Sequence, residues 1–184
     1  MDKKDINECI DQIRLISLSQ DVSLDNFTSE YKEYELFLKE KALAYQDKNI
    51  SYTHLLISRE DNTIMAYMTL STDAIQLTSY EKEDSDIDEI PFTTIPALKI
   101  GKLCVDDKSR QSYRGIGSLM IDFARGFANE INENGVACRF LTIDADVEHN
   151  PKVVEFYEYN RFKRNEKYGK RTVSISMRKD IYSM

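Results

Sequence analysis

The stretch Leu103-Cys104-Val105-Asp106-Asp107-Lys108-Ser109-Arg110-Gln111-Ser112-Tyr113-Arg114-Gly115-Ile116-Gly117-Ser118-Leu119-Met120 joins the two clearest signals in the chain. On its N-terminal side Leu98, Ile100 and Leu103 alternate with polar neighbours until the pattern breaks near Gly101, which predicts a central strand over 98–105 with a bulge. On its C-terminal side Ile116, Leu119, Met120, Phe123, Phe127 and Ile131 recur at intervals of three and four up to Asn134-Gly135, the stop of a helix. A Gly-x-Gly at such a strand-to-helix junction leaves unpaired N–H groups and the positive helix end facing the turn, an arrangement suited to phosphate or to nothing more than a tight turn. Two phosphate motifs fail on spacing. A Walker A loop needs a following Lys-Ser/Thr, and a dinucleotide fingerprint needs a third glycine where Met120 stands.

Outward from this centre, Ile6, Cys9, Ile10 and Ile13 have helical spacing, and Leu15 to Leu18 reads as a short strand. Tyr34, Phe37, Leu38, Ala42 and Tyr45 predict an amphipathic helix over 29–46, with Thr28 or Ser29 as its N-cap. Tyr52 to Ser58 and Thr63 to Thr72, joined by Arg59-Glu60-Asp61-Asn62, read as an antiparallel hairpin. Glu81 to Glu89 holds six carboxylates and one lysine in nine residues, a composition expected of an extended surface loop. After the long helix, Val136 to Ile143 is a short apolar strand, Pro151 opens a helix capped by Asn150, and Phe162 and Thr172 to Met177 supply two last strands. The order is β-α-β-β-β-α-β-α-β-β, an α/β domain with a mixed sheet.

Composition narrows the function classes. At 184 residues the chain is about one domain long, and six Gly and three Pro leave no room for a long linker. The longest apolar run, Ile64 to Met68, is five residues against the roughly 20 of a membrane span, and no signal core follows Met1. Cys9, Cys104 and Cys138 have no C-x-x-C spacing, and with His54 and His149 as the two histidines no zinc set is expected. A reducing cytoplasm fits. A net charge of −7 argues against general affinity for nucleic acid or anionic membrane.

A second constellation, Asn150-Pro151-Lys152-Val153-Val154-Glu155-Phe156-Tyr157-Glu158-Tyr159-Asn160-Arg161-Phe162, starts 33 residues after Gly117. Together the two motifs resemble the GNAT superfamily of acyl-CoA-dependent N-acetyltransferases, whose pyrophosphate arm reads Q/R-x-x-G-x-G/A and whose later helix reads N-x-x-A-x-x-x-Y-x-x-x-G-F. Gly115 and Gly117 match the first, and Asn150, Tyr157 and Phe162 the second. The resemblance covers about Ile13 to Met177. It implies a single N-acetyltransferase domain over 1–184, with a mixed, mainly antiparallel central sheet flanked by helices. Three positions depart from the pattern. Ser112 stands at the Q/R position, leaving that contact weakened or supplied by Arg110, Gln111 or Arg114. Val153 replaces Ala, and Arg161 replaces the Gly before Phe162, a change expected to reshape the turn.

The resemblance implies acetyl-CoA as co-substrate, no metal, and a primary amine as acceptor. Leu103, Cys104 and Val105 would line the pantetheine arm, Ser112, Tyr113, Arg114, Gly115, Ile116, Gly117 and Ser118 the pyrophosphate, and Asn150 would belong to the same cofactor site. Tyr157 stands at the position of the general acid, which returns a proton to the departing thiolate. For the general base Asp144, Asp146, Glu148 and His149 stay open. An α-amine, with its reference pKa of about 7.7 to 8.0, needs less help than a lysine at about 10.4.

Within the superfamily, Tyr34 to Ala44, Leu55 to Ile57, Ala66 to Ser71 and Ile95 to Asp106 resemble the toxin-type branch that acetylates aminoacyl-tRNA. The acceptor stays open between a small molecule, a protein and aminoacyl-tRNA, and a non-catalytic acyl-CoA-binding module is a further alternative. An antitoxin and a second copy of the chain are the other partners considered; a membrane is not. Arg161, Lys163, Arg164, Lys167, Lys170 and Arg171, six cations against Glu166 in eleven residues, suit RNA phosphates. The acidic run at 81–89 suits a polyamine or a basic tail instead. The two charged segments point to opposite acceptors.

Overall fold

The computed structural model describes residues 3–167 and 173–183. The described residues form nine strands: β1 Lys4–Asp5, β2 Ile13–Ser17, β3 Tyr52–Ser58, β4 Ile64–Gln76, β5 Thr94–Val105, β6 Tyr113–Arg114, β7 Phe140–Asp146, β8 Lys163–Arg164 and β9 Ser174–Asp180. The helices are α1 Lys32–Leu36, α2 Ala42–Asp47, α3 Ser79–Glu83, α4 Asp107–Ser112, α5 Ile116–Glu133 and α6 Val153–Tyr159. Seven strands follow the hydrogen-bonded order β2-β3-β4-β5-β7-β9-β8, and β1 pairs with β6 apart from them. The β5–β7 pair is parallel, while β2–β3, β3–β4, β7–β9 and β8–β9 are antiparallel. This is the expected mixed, mainly antiparallel sheet in the expected element order, with two short helices, α3 and α4, and two two-residue strands, β1 and β6, added. The chain divides into two compact units, Met1–Ser71 with Ile100–Phe123, and Thr72–Lys99 with Ala124–Met184.

In the first unit, the expected N-terminal helix is a 3₁₀ segment, Ile6–Gln12, broken at Cys9 by non-helical backbone. The expected helix over 29–46 begins later, at Lys32, and one π turn, Phe37–Lys41, joins α1 to α2. Neither Thr28 nor Ser29 caps it. The Thr28 amide donates to Asp106 Oδ1 at 2.9 Å, and Ser29 Oγ accepts from the Tyr31 amide at 3.1 Å. The π turn presents Phe37 to buried Tyr67, ring centroids 6.5 Å apart and nearly parallel, and Phe27 meets the same tyrosine edge-on at 5.5 Å. These rings, with Leu38, Leu55, Ile57 and Ile64, form the core of this unit. The tyrosine's hydroxyl is satisfied by the Tyr34 carbonyl at 2.8 Å, as a buried polar tip requires.

The second unit corrects the reading of the acidic run. Ser79–Glu83 is a helix opened by a complete capping box: Thr78 Oγ1 accepts from the Glu81 amide and the Glu81 carboxylate accepts from the Thr78 amide. Glu81 is 1% exposed, and Ile87 joins Ile75, Leu77, Ile95, Ala97 and Phe140 in the core. Burial of that carboxylate is offset by three donors: the Thr78 amide at 2.8 Å, the Glu166 amide at 2.9 Å and Arg178 Nη1 at 2.6 Å. The strand expected over 136–143 lies at Phe140–Asp146. Of the strand expected from Thr172, Ser174–Asp180 is present, and Thr172 lies outside the described residues.

Helix α5 ends as its sequence predicts, in a left-handed Gly135 (φ +83°), with Val136 N–H bonded to Ile131 O and Gly135 N–H to Asn132 O. Its buried face differs from the expected stripe: Ile116, Met120, Ile121, Ala124 and Ala128 are at most 2% exposed. Phe123, Phe127 and Ile131 are half-buried.

Candidate functional site

The turn before α5 is built by residues distant in sequence. Asp106, 4% exposed, caps α4 by accepting from the Lys108 and Ser109 amides at 3.0 and 3.1 Å, so a short helix, Asp107–Ser112, stands between the strand and the turn. Tyr113 and Arg114 then pair in parallel with Lys4 and Asp5. Gly115 follows at φ +85°, and a Cβ there would come within 3.4 Å of Ile6 Cγ2. The left-handed glycine turns the chain directly into α5, whose first intrahelical bond runs from the Leu119 amide to the Gly115 carbonyl at 2.9 Å. The amides of Ile116, Gly117 and Ser118 precede that bond and have no acceptor within the helix, so the turn fits an anion such as a diphosphate.

The side chains around the turn are unequal in what they offer. Ser112 Oγ donates to the Lys108 carbonyl at 3.0 Å and so is spent within its own helix. Arg110 pairs with Glu30 and donates to the Val105 carbonyl at 3.3 Å. Arg114 donates through Nε to Asp5 Oδ2 at 3.3 Å, its side chain 67% exposed. Ser112 and Tyr113 also border a recess of about 480 Å³ whose other walls include Ile13, Arg59, Met65 and Lys108. On β5, Leu103 and Val105 are half-buried and Cys104 is 5% exposed, its thiol 3.4 Å from Ser29 Oγ. Burial pushes that thiol up to about 11, which keeps it neutral and non-nucleophilic at ordinary pH. Gly101, on the same strand, faces Thr69: a Cβ there would lie 2.8 Å from Oγ1, and that oxygen accepts from the Lys102 amide at 2.9 Å.

Asn150 and Tyr157 belong to the second unit. Asn150 does not cap α6 itself; Oδ1 accepts from the Lys152 amide at 3.1 Å, shaping the turn that precedes Val153. Tyr157 is 5% exposed, its ring edge-on to Phe156 and Phe162 at 5.1 and 5.4 Å. Burial, and then the negative charge of Asp146, raise its phenol above the ordinary value, so it is a protonated donor throughout the physiological range. Asp146 also holds His149 Nδ1 at 2.8 Å. Asp144 is tied to Lys99 at 2.8 Å.

The turn at Arg161, expected to be reshaped, is a regular helix end. Phe162 N–H bonds to Tyr157 O and Arg161 N–H to Glu158 O, both at 2.9 Å, a Schellman end in which Arg161 itself takes the left-handed conformation (φ 66°). The charged segments are also other than expected. Lys163 of the basic stripe lies with Nζ 2.6 Å from Asp84 of the acidic run, Arg164 pairs with Glu158 at 3.0 Å, and Glu81 pairs with Arg178, so each charged segment is neutralised in part. Lys170 and Arg171 lie outside the described residues. Sequence reasoning missed Asp5, which stands 109 residues before Arg114, and no local pattern signals such a pair.

Among the described residues, no group of three or more His, Cys, Asp or Glu is placed to hold a metal, and no helix is long and apolar enough to cross a membrane. No family model and no curated protein matches the sequence. Solved structures do match. A tyrosine-to-phenylalanine mutant of KacT has 18% identity and a TM-score of 0.73 over 92% of this chain and 95% of its own. AtaT complexed with acetyl-methionyl-tRNA has 17% identity and a TM-score of 0.71 over 89% of this chain and 93% of its own. A mutant AtaT toxin bound to the C-terminus of the antitoxin AtaR and acetyl-CoA has 17% identity and a TM-score of 0.66, covering 91% and 93%. The chain therefore shares the fold of KacT and AtaT.

Proposed function

We propose that this chain is a cytoplasmic, single-domain, acetyl-CoA-dependent N-acetyltransferase of the toxin type, whose acceptor is the α-amino group of aminoacyl-tRNA and which is held in check by an antitoxin. The observation that carries the reading is the likeness over about nine-tenths of the chain to AtaT, itself seen with acetyl-methionyl-tRNA and with acetyl-CoA and an antitoxin segment. The preorganised turn at Gly115 independently supports a diphosphate-bearing co-substrate.

In this reading the amides of residues 116–118, with Arg114, hold the diphosphate. Leu103 to Val105 run beside the pantetheine arm, and Asn150 shapes the turn that leads to Tyr157. The acceptor's neutral amine forms the C–N bond, and the Val105 N–H donates to the oxyanion that develops on the carbonyl oxygen. As the C–S bond breaks, the Tyr157 hydroxyl gives its proton to sulfur, the amine's surplus proton leaves to solvent, and the phenolate takes one back from solvent to complete the cycle. An α-amine near its reference value of about 7.7 to 8.0 is partly neutral at pH 7, so no strong base is needed.

The test is transfer of labelled acetyl from acetyl-CoA into a pool of charged tRNA, beside spermidine and a lysine peptide, with Tyr157→Phe as control. Label in charged tRNA, lost in the variant, is the expected result. Label confined to the polyamine or the peptide overturns the acceptor, and acetyl-CoA binding without transfer to any amine leaves the non-catalytic module.

A further inference from the structure

Asp5 grips Arg114 from behind. Its Oδ2 takes Nε at 3.3 Å, while among the described residues Nη1 and Nη2, the two terminal nitrogens of the fork, have no protein partner. The carboxylate is itself fixed: Oδ1 accepts from the Asn7 amide and from Asn7 Nδ2, both at 3.0 Å. The backbone is fixed too, with Lys4 and Asp5 laddered against Tyr113 and Arg114, and Ile6, fully buried, beneath Gly115. The Asn7 amide, and to a lesser extent Arg114, hold the Asp5 carboxyl below its ordinary range, so the grip is ionic at any physiological pH. Ser112 meanwhile has its one hydroxyl proton committed to the Lys108 carbonyl.

We infer that Asp5 is a positioning residue for the co-substrate's diphosphate: by holding Arg114 through Nε it aims the two terminal nitrogens at a diphosphate seated on the first turn of α5, replacing the long polar side chain that Ser112 lacks. The inference rests on the acetyl-CoA reading above. An arginine anchored through Nε gives up little further rotamer freedom when its fork closes on phosphate, and its planar donors suit two phosphate oxygens. The N-terminal strand thereby becomes part of the cofactor site.

Calorimetric titration with coenzyme A, and with S-acetylpantetheine as a probe that lacks the diphosphate, tests this. Asp5→Asn keeps an acceptor for Asn7 and removes the negative charge that holds Arg114. It should weaken coenzyme A binding about 2- to 10-fold, the effect of freeing one rotamer-rich side chain, and leave S-acetylpantetheine unchanged. Arg114→Gln should weaken coenzyme A at least as much, and adding Asp5→Asn to it should change nothing more. The melting temperature of each unliganded variant separates loss of fold from loss of aim. Unchanged or tighter coenzyme A binding by Asp5→Asn overturns the inference, as does an equal loss in the Arg114→Gln background or an equal loss with the pantetheine probe. A parent chain that does not bind coenzyme A overturns the acetyl-CoA reading itself.

Discussion

Removing the Glu81 carboxylate should destabilise this protein more than any surface substitution. Glu81 and Arg178 have side chains 1% and 4% exposed, and their 2.6 Å contact is one of three that the carboxylate accepts. Breaking a buried ion pair from one side costs about 3–5 kcal/mol, because the surviving charge stays desolvated. Arg178 keeps the Arg164 carbonyl and Asn165 Oδ1, each at 3.1 Å, and a distant Asp84 at 3.8 Å, which places Glu81→Ala near the lower end, about 3 kcal/mol. For a chain of this size each kcal/mol lowers the melting temperature by roughly 2–4 °C, so a fall of about 6–12 °C is expected in scanning calorimetry. Glu81→Gln, which keeps the shape and one acceptor, should fall by less. The double variant Glu81→Leu/Arg178→Met should be more stable than Glu81→Leu alone, since no charge is left stranded. A fall below about 2 °C for Glu81→Ala, or a double variant less stable than the single one, would refute the argument.

Three further outcomes follow from local geometry. Arg161→Gly should raise the melting temperature by about 1–3 °C, because relief of left-handed strain of roughly 1–2 kcal/mol exceeds the entropy that glycine adds to the unfolded chain; calorimetry decides, and a fall refutes it. Titration with a thiol reagent near pH 8 should modify Cys9, which is half-exposed, while Cys104 and Cys138, both buried, react only after denaturation. Glu35, pushed down to about 2 first by Lys32 and then by Lys39, contributes stability that is present above its unfolded value and lost as pH falls through about 2. Glu35→Gln should therefore flatten the acid limb of the urea midpoint between about pH 4.5 and 2 and lower the midpoint at neutral pH.

What was legible in the sequence was what repeats or what matches a motif. Helix α5 showed through its three–four spacing and its Asn134-Gly135 stop, and the hairpin β3–β4 through two β-rich runs around a polar connection. The turn at Gly115 showed because a left-handed backbone leaves a glycine behind. Arg161 hid the same conformation, since the Schellman bonds and the Tyr157–Phe162 ring contact hold the backbone left-handed without one. The acidic run misled for a related reason: charge density predicts exposure, but one carboxylate in six, Glu81, is buried against a cation, Arg178, 97 residues away. The π turn at Phe37–Lys41 leaves the helical spacing nearly intact, so its sequence reads as an unbroken helix.

The proposed acid, Tyr157, makes a sharper demand. A phenol at its reference value of about 10 is already a weaker acid than a thiol at about 8.5, so complete transfer to a free thiolate is uphill by about 2 kcal/mol. Burial and Asp146 widen that gap. Tyr157 therefore cannot ionise ahead of the chemistry; its proton crosses only as the C–S bond breaks, while the nitrogen that has just been acylated sheds a proton. A raised phenol also stays in its active, protonated form to higher pH. The acceptor's amine should then set the rising limb of kcat/KM near about pH 8, followed by a plateau to at least about pH 9.5. Tyr157→Phe should lower the plateau by about 10²- to 10⁴-fold and leave the rising limb in place. Single-turnover rates across this range decide the matter. A descending limb between about pH 8 and 9.5 that vanishes in Tyr157→Phe means that the phenol ionises where burial forbids it, and an unchanged plateau means that Tyr157 is not the acid.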